Sequence, residues 1–193
     1  GVLDLTAATP VSPLRLANVS LNGGVLHSDS DLTVANRFSW ADGTIDGSGT
    51  IYNQGVLDQY GFDSYLNQPL VNRGYVTVHD SGNLTVGDGV TFTNAPGATL
   101  EIRGADIRSS PLARVINQGT IVKDGGGVTD FSPFLEDQTG ASVQALAGTM
   151  RLDSGGSHDG TSFVTTSDGR IGFVGPHGGP HTFTASTTFD GYN

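Results

Sequence analysis

The residues able to form a site are aspartates, histidines and aromatics, since the chain has no cysteine. A catalytic or calcium site on a repetitive β-protein needs carboxylates in one outward-facing column, with an Arg or Lys as base. The outward position after the first apolar residue of each repeat reads Asp46, Tyr52, Asp58, Thr77, Glu101, Val122, Arg151 and Gly172. That column holds no three neighbouring acids, and the sequence has no calcium-binding motif. We therefore expect no catalytic residue, no metal site and no cofactor.

Two of the five histidines, His177 and His181, are four residues apart. On a helix this spacing would predict a metal pair. The intervening Gly178-Gly179-Pro180 excludes a helix, because proline and glycine break it. We expect an exposed glycine-rich loop there.

Aromatic and acidic residues cluster where the sequence predicts a loop or corner. Exposed rings stack on sugars, and nearby carboxylates bond to sugar hydroxyls, so the cluster is a candidate glycan site. The alternative is that Phe62 and one tyrosine pack against the core. The candidate ligand-binding residues are Asp58, Tyr60, Phe62, Asp63 and Tyr65.

A repeat would position these residues: an asparagine, one or two residues, a glycine, then alternating apolar positions. Its asparagines recur at an interval of about 19–23 residues, and Asn22-Gly23-Gly24 is an early copy. We expect the asparagines to stack in a ladder of side-chain amides at one corner. The glycines should adopt a turn conformation that other residues resist. The structural ladder comprises Asn53, Asn72, Asn94 and Asn117, with Gly55, Gly74, Gly97 and Gly119.

Each repeat is long enough for three short strands with one inward face. Between Asn72 and Asn94 the strands are marked by Val76 and Val78, by Leu84 and Val86, and by Val90 and Phe92. One lysine and two glutamates in 193 residues also disfavour helices. The pattern predicts an all-β fold, a single-stranded parallel β-solenoid (β-helix) with roughly triangular coils of about 19–23 residues. A β-sandwich would need more hairpin signals than the one Asn-Gly pair.

A shorter period lies inside the first, since Gly43, Gly49, Gly55 and Gly61 are six residues apart. Six residues per side suits a triangular coil of about 18 residues. This run resembles the hexapeptide repeat of left-handed β-helix acyltransferases. It predicts one tight early coil, with Ile45, Ile51 and Leu57 in the same phase.

We expect residues 1–193 to form one domain, with 1–21 as an N-terminal cap or first rung and 182–193 as an uncapped last rung. Uncapped strand edges invite pairing with another chain. The predicted partner is therefore another copy or a neighbouring solenoid domain, with glycans as the other candidate. A net charge of −10 disfavours nucleic acid, and no apolar run is long enough to predict membrane insertion.

The stretch from Trp40 to Ile51, followed by the Asn-x-Gly coils, resembles repeats of large secreted bacterial β-helix proteins. These include autotransporter passenger regions, polymorphic outer-membrane proteins and filamentous-haemagglutinin-like adhesins. The resemblance runs from about Trp40 to Phe173 and rests on Gly-Thr-apolar and Asn-x-Gly-x-apolar patterns.

The resemblance implies an extracellular or cell-surface protein with a structural or adhesive role, such as a filament or matrix subunit. It implies no catalytic motif and no enzyme activity. Two alternatives remain: a carbohydrate-active β-helix enzyme of the polysaccharide-lyase kind, and a glycan-binding module.

Overall fold

The computed structural model describes residues 1–5, 13–174 and 179–191, and in these residues it has 23 β-strands and no helix. His177, Tyr192 and Asn193 lie outside the described residues. Every pairing is parallel, and from β4 onward each strand pairs with the strand three positions along the chain. The chain is therefore a three-sided solenoid of about eight coils, which confirms the predicted fold class.

Three faces, named A, B and C here, follow one another around each coil. The first three strands are β1 (Val2–Asp4), β2 (Leu14–His27) and β3 (Leu32–Asp46), and β3 bends around all three faces. Face A continues with β4 (Ile51–Asn53), β7 (Leu70–Asn72), β10 (Thr91–Asn94), β13 (Arg114–Asn117), β16 (Phe134–Asp137), β19 (Gly156–His158) and β22 (His181–Phe183). Face B continues with β5 (Val56–Gln59), β8 (Tyr75–Val78), β11 (Thr99–Ile102), β14 (Thr120–Lys123), β17 (Ser142–Ala145), β20 (Ser162–Thr165) and β23 (Thr188–Asp190). Face C continues with β6 (Ser64–Asn67), β9 (Leu84–Val86), β12 (Ile107–Ser109), β15 (Val128–Phe131), β18 (Gly148–Leu152) and β21 (Gly169–Phe173).

The three strands predicted between Asn72 and Asn94 are confirmed as β8, β9 and β10. Coil length varies more than expected. Leu14 pairs with Leu32 at the start of the solenoid, whereas His158 pairs with Phe183 near its end, across a longer coil. Parallel pairing constrains only the strands, so the corners absorb the difference.

Inward side chains stack in columns to form a continuous core. On face B the column is fully buried and comprises Leu57, Val76, Leu100, Ile121, Val143 and Phe163. Each buried aliphatic side chain contributes about 1.5–3 kcal/mol relative to exposure. The predicted tight coil also points its apolar residues inward: Ile45, Ile51 and Leu57 are buried on faces C, A and B in turn.

The glycine-based copies of the repeat belong to two different corners. Asn22 pairs with Asp42 between faces B and C, so its assignment as an early copy of the ladder repeat is wrong. Gly148 and Gly169 pair with each other on face C as well. Glycine stands next to a strand at both corners, so the sequence pattern does not show which corner a given glycine occupies.

The expected turn conformation of the ladder glycines is also wrong for three of the four. Gly55, Gly74 and Gly119 have no positive φ. A Cβ at these positions would overlap a backbone carbonyl of the preceding coil, so close approach is what requires glycine there. Gly97 has φ 78° and open space around it, and its neighbour Ala98 occupies the place in the stack between Gly74 and Gly119.

The described part of the chain contains no helix that could span a membrane.

Candidate functional site

A ladder of buried amides runs through the corner between faces A and B. Asn53 Nδ2 donates to Asn72 Oδ1 at 2.9 Å, Asn72 to Asn94 at 2.9 Å, and Asn94 to Asn117 at 3.0 Å. All four side chains are fully buried. The same nitrogens also donate to carbonyls of face B in the next coil, at Tyr75, Thr99, Thr120 and Ser142. The ladder thus satisfies amides that would otherwise be costly to bury.

Beyond Asn117 the ladder continues through ionisable groups, which sequence reasoning missed. Asn117 Nδ2 donates to Asp137 Oδ1 at 2.8 Å, and Asp137 Oδ2 lies 2.7 Å from His158 Nδ1. His158 Nε2 lies 3.0 Å from His181 Nδ1, and His181 Nε2 lies 3.1 Å from the Leu152 carbonyl. In the sequence, only position indicates this continuation: Asp137 and His158 follow the asparagines at the coil spacing, and the strands pair them in the same register.

Aromatic rings enclose His158. The ring centroids of Phe163, Phe173 and Phe183 lie 5.1, 5.9 and 4.9 Å from that of His158. The side chains of Asp137 and His158 are both 0% exposed. Burial lowers the pKa of His181, because desolvation disfavours the imidazolium.

At its other end the ladder begins with an unused acceptor. Asn53 Oδ1 is buried without a hydrogen-bond partner among the described residues. The position above it in the register is Val34, which is fully buried and apolar.

A second series of bonds, here called the Asx staircase, runs along the corner that leads into face C. Each side chain accepts from the backbone N–H of the next coil: Asp63 from Asn83 at 3.2 Å, Asn83 from Asp106 at 3.0 Å, and Asp106 from Asp130 at 3.0 Å. Asp130 then pairs with Arg151 at 2.7 Å. Sequence reasoning missed the staircase, whose signal is an Asx residue before the face C strand at the coil spacing.

The glycan candidates divide into two groups. Phe62 and Tyr65 are 75% and 43% exposed, and with Asp63 they line an open depression of about 400 Å³. Tyr60 is 41% exposed but lies outside the depression, as does Asp58, whose carboxylate pairs with Arg37 at 2.7 Å.

The alternative in which Phe62 and a tyrosine pack against the core is wrong, since all three rings of this cluster are exposed. The Asp63 carboxylate already has partners within the protein. Besides the staircase bond, it accepts a hydrogen bond from Asn83 Nδ2 at 2.9 Å and lies 3.5 Å from the Arg108 guanidinium.

The outward column inferred from the sequence is wrong as a single column. Asp58, Thr77, Glu101 and Val122 do stack on face B. Tyr52 lies on face A, and Asp46, Arg151 and Gly172 lie on face C. Glycines mark the repeats in the sequence, but they lie at more than one corner of the solenoid, so equivalent positions after them fall on different faces.

The acids that do share face B are paired with arginines. Asp58 pairs with Arg37 at 2.7 Å, and Glu101 pairs with Arg103 at 3.0 Å. Over residues 1–5, 13–174 and 179–191, no three His, Asp or Glu side chains group in a way that could hold a metal ion.

His27 forms a partly exposed ionic cluster with Asp29 and Asp46. Its Nδ1 lies 2.6 Å from Asp46 and its Nε2 3.4 Å from Asp29. The hydrogen bond with Asp46 raises the pKa of His27. Hydrogen bonds donated by the Ser48 backbone and hydroxyl lower the pKa of Asp29.

The single lysine of the chain, Lys123, points into the core and is fully buried. Its Nζ donates to the carbonyls of Gly125 and Gly126. Burial lowers the pKa of Lys123, because the ammonium loses its hydration.

Comparison with known proteins finds a distant relative. The chain is 29% identical over 128 residues to BigA of Salmonella typhimurium, whose name describes it as a putative surface-exposed virulence protein. The match covers 57% of this chain but 7% of the Salmonella protein, so the chain corresponds to a small part of that relative's length. No family model matches the chain. No solved structure matches it either.

Proposed function

We propose that the chain is a non-enzymatic segment of a surface-exposed bacterial β-solenoid, with a structural or adhesive role. The observation that carries the proposal is the similarity over 128 residues to a protein named as surface-exposed. A parallel solenoid extends by adding coils, so it can project a binding surface away from a cell.

The interior of the solenoid supports a structural role. Hydrophobic columns and the buried amide ladder join successive coils along the same axis. Each coil contacts mainly its neighbours, so pulling on one end is resisted coil by coil. Such a stack suits a stalk.

Surface location is tested with antibodies raised against the folded chain. They should label intact producing cells, and external protease should remove the signal while a cytoplasmic marker remains. Labelling only after permeabilisation would contradict the proposal. Electron microscopy of the purified chain tests the filament form of the proposal, and dispersed monomers at all concentrations would rule out self-assembly.

A polysaccharide-lyase activity is the enzymatic rival. Incubation with acidic polysaccharides and calcium should give no unsaturated products. Their appearance would overturn the non-enzymatic proposal.

A glycan-binding role is a second candidate, favoured by the exposed rings of Phe62 and Tyr65 beside the depression. A stacked sugar would replace water on these rings, and the carboxylates of Asp42 and Asp80 on the rim could accept hydrogen bonds from its hydroxyl groups. A neutral glycan suits the site best, because the rim is acidic.

The test is a glycan array on the wild type, Phe62→Ala, Tyr65→Ala and the control Tyr60→Ala, whose ring is about as exposed as that of Tyr65 but lies outside the depression. The first two variants should lose binding about fivefold or more, since stacking on an aromatic ring commonly contributes about 1 kcal/mol. Equal loss in Tyr60→Ala, or no binding by the wild type, would contradict this candidate.

A further inference from the structure

The hydrogen bonds of the Asp137–His158–His181 chain require a definite number of protons. Three bonds link Asp137 to His158, His158 to His181, and His181 to the Leu152 carbonyl. Each hydrogen bond needs one proton, and a carbonyl supplies none. An ionised aspartate with two neutral imidazoles carries only two protons. The bonded chain therefore contains one more.

The surroundings favour this extra proton. The carboxylate of Asp137 is 0% exposed, and no described arginine or lysine forms a hydrogen bond or ion pair with it. A buried carboxylate without a cation is costly. A proton shared with His158 makes the Asp137–His158 pair neutral overall.

Other charged groups nearby are engaged elsewhere. On β16 the neighbouring Glu136 faces Arg114 at 3.7 Å, and on β18 Arg151 pairs with Asp130. β13 presents the neutral Asn117. β20 and β21 present phenylalanines, and β22 presents His181 with Phe183. Because burial lowers the pKa of His181, the extra proton belongs to the Asp137–His158 link.

We propose that Asp137, His158 and His181 form a buried proton-binding site that locks the coils from β19 onward to the rest of the stack. The three residues lie on three successive strands of face A: β16, β19 and β22. Loss of the proton leaves one of the three hydrogen bonds unmade and an uncompensated negative charge in the core. The coils from β19 onward then loosen.

The sign of the pH effect follows from proton binding. In the folded protein the Asp137–His158 link holds an extra proton. In the unfolded chain Asp137 is ionised and this proton is absent. Above the ordinary pKa of histidine, the folded site therefore binds one more proton than the unfolded chain, and its stabilisation is lost as the pH rises through the point of release. Acidification from alkaline pH toward neutrality should tighten the coils from β19 onward.

Asp137→Asn is the matched variant. An asparagine can accept from Asn117 through its oxygen and donate to His158 Nδ1 through its nitrogen, so all three bonds form without the extra proton. Above about pH 5, the folding equilibrium constant of the wild type should fall up to tenfold per pH unit relative to Asp137→Asn, until the proton is released. Urea unfolding, together with hydrogen-exchange protection factors for β19 and β22, measures this difference. Identical pH dependence in the two proteins would overturn the proposal.

A measurement on the wild type alone covers the case in which the variant fails to fold. Nitrogen NMR of His158 and carbon NMR of the Asp137 carboxyl group report where protons reside near pH 7. We expect either two protonated nitrogens on His158 or a protonated carboxyl group. A singly protonated His158 beside an ionised Asp137, with His181 also neutral, would refute the site.

Discussion

Asn117 Nδ2 donates a 2.8 Å hydrogen bond to Asp137 Oδ1, and both side chains are buried. At this bond the ladder changes from neutral amides to groups that can carry charge. Asn117 also accepts a hydrogen bond from Asn94, so it connects the amide part of the ladder to the ionisable part. Removal of the Asn117 side chain should therefore affect both parts.

Asn117→Ala should be strongly destabilising. The change leaves Asn94 Nδ2 without one acceptor and Asp137 Oδ1 without its donor, both inside the core. We expect a loss of about 2–4 kcal/mol in the free energy of unfolding. The control is Gln118→Ala, whose half-buried amide bonds Gln138 at 2.7 Å and should cost about 0.5 kcal/mol or less. Urea unfolding compares them, and equal losses would argue against the ladder as a main stabilising element.

Val34→Asn should be unusually well tolerated for a polar residue in a core. The new amide can donate to the unused Asn53 Oδ1 and so lengthen the ladder by one coil. Leu32→Asn is the control, because it lies in the same strand, is equally buried and faces Ile51. We expect Val34→Asn to retain about 2 kcal/mol more stability than Leu32→Asn in thermal or urea unfolding. The opposite order would show that the ladder cannot be extended.

Gly119→Ala should destabilise the protein through a steric clash. Its Cβ would overlap the carbonyl oxygens of Ala98 and Ala95 in the preceding coil. Gly126, beyond the other end of β14, has no positive φ and open space around it, so Gly126→Ala is the control. We expect a cost of about 2–3 kcal/mol for Gly119→Ala and almost none for Gly126→Ala, measured by thermal unfolding. A harmless Gly119→Ala would contradict the tight contact between coils.

Lys123→Met should stabilise the protein at neutral pH. Burial lowers the pKa of Lys123, so the folded state holds its proton less tightly than the unfolded chain does. The charged side chain therefore costs stability below the folded pKa, and the cost diminishes as the pH rises toward the ordinary lysine value. Unfolding experiments across pH 7 to 10 should show the advantage of methionine shrinking. An advantage that grows with pH would be inconsistent with this account.

The architecture was accessible from sequence because it depends on local, periodic features. Alternating apolar residues, the scarcity of lysine and glutamate, and asparagines at coil spacing predict stacked short strands, and the strands β8, β9 and β10 match the predicted positions. The site was less accessible. Phe62 and Tyr65 are exposed beside a depression, but Asp58 and Tyr60 lie elsewhere.

Residue periodicity alone shows that the chain is β-structured, repetitive and stacked, and it groups Asn53, Asn72, Asn94 and Asn117 as one set. The corner that each glycine occupies and the column that each acid joins become visible in the folded chain. The folded chain also shows that Asp137 and His158 extend the asparagine ladder, although neither is an asparagine. This is because parallel stacking joins residues one whole coil apart through register. Register depends on the length of every corner in between, which local patterns do not specify.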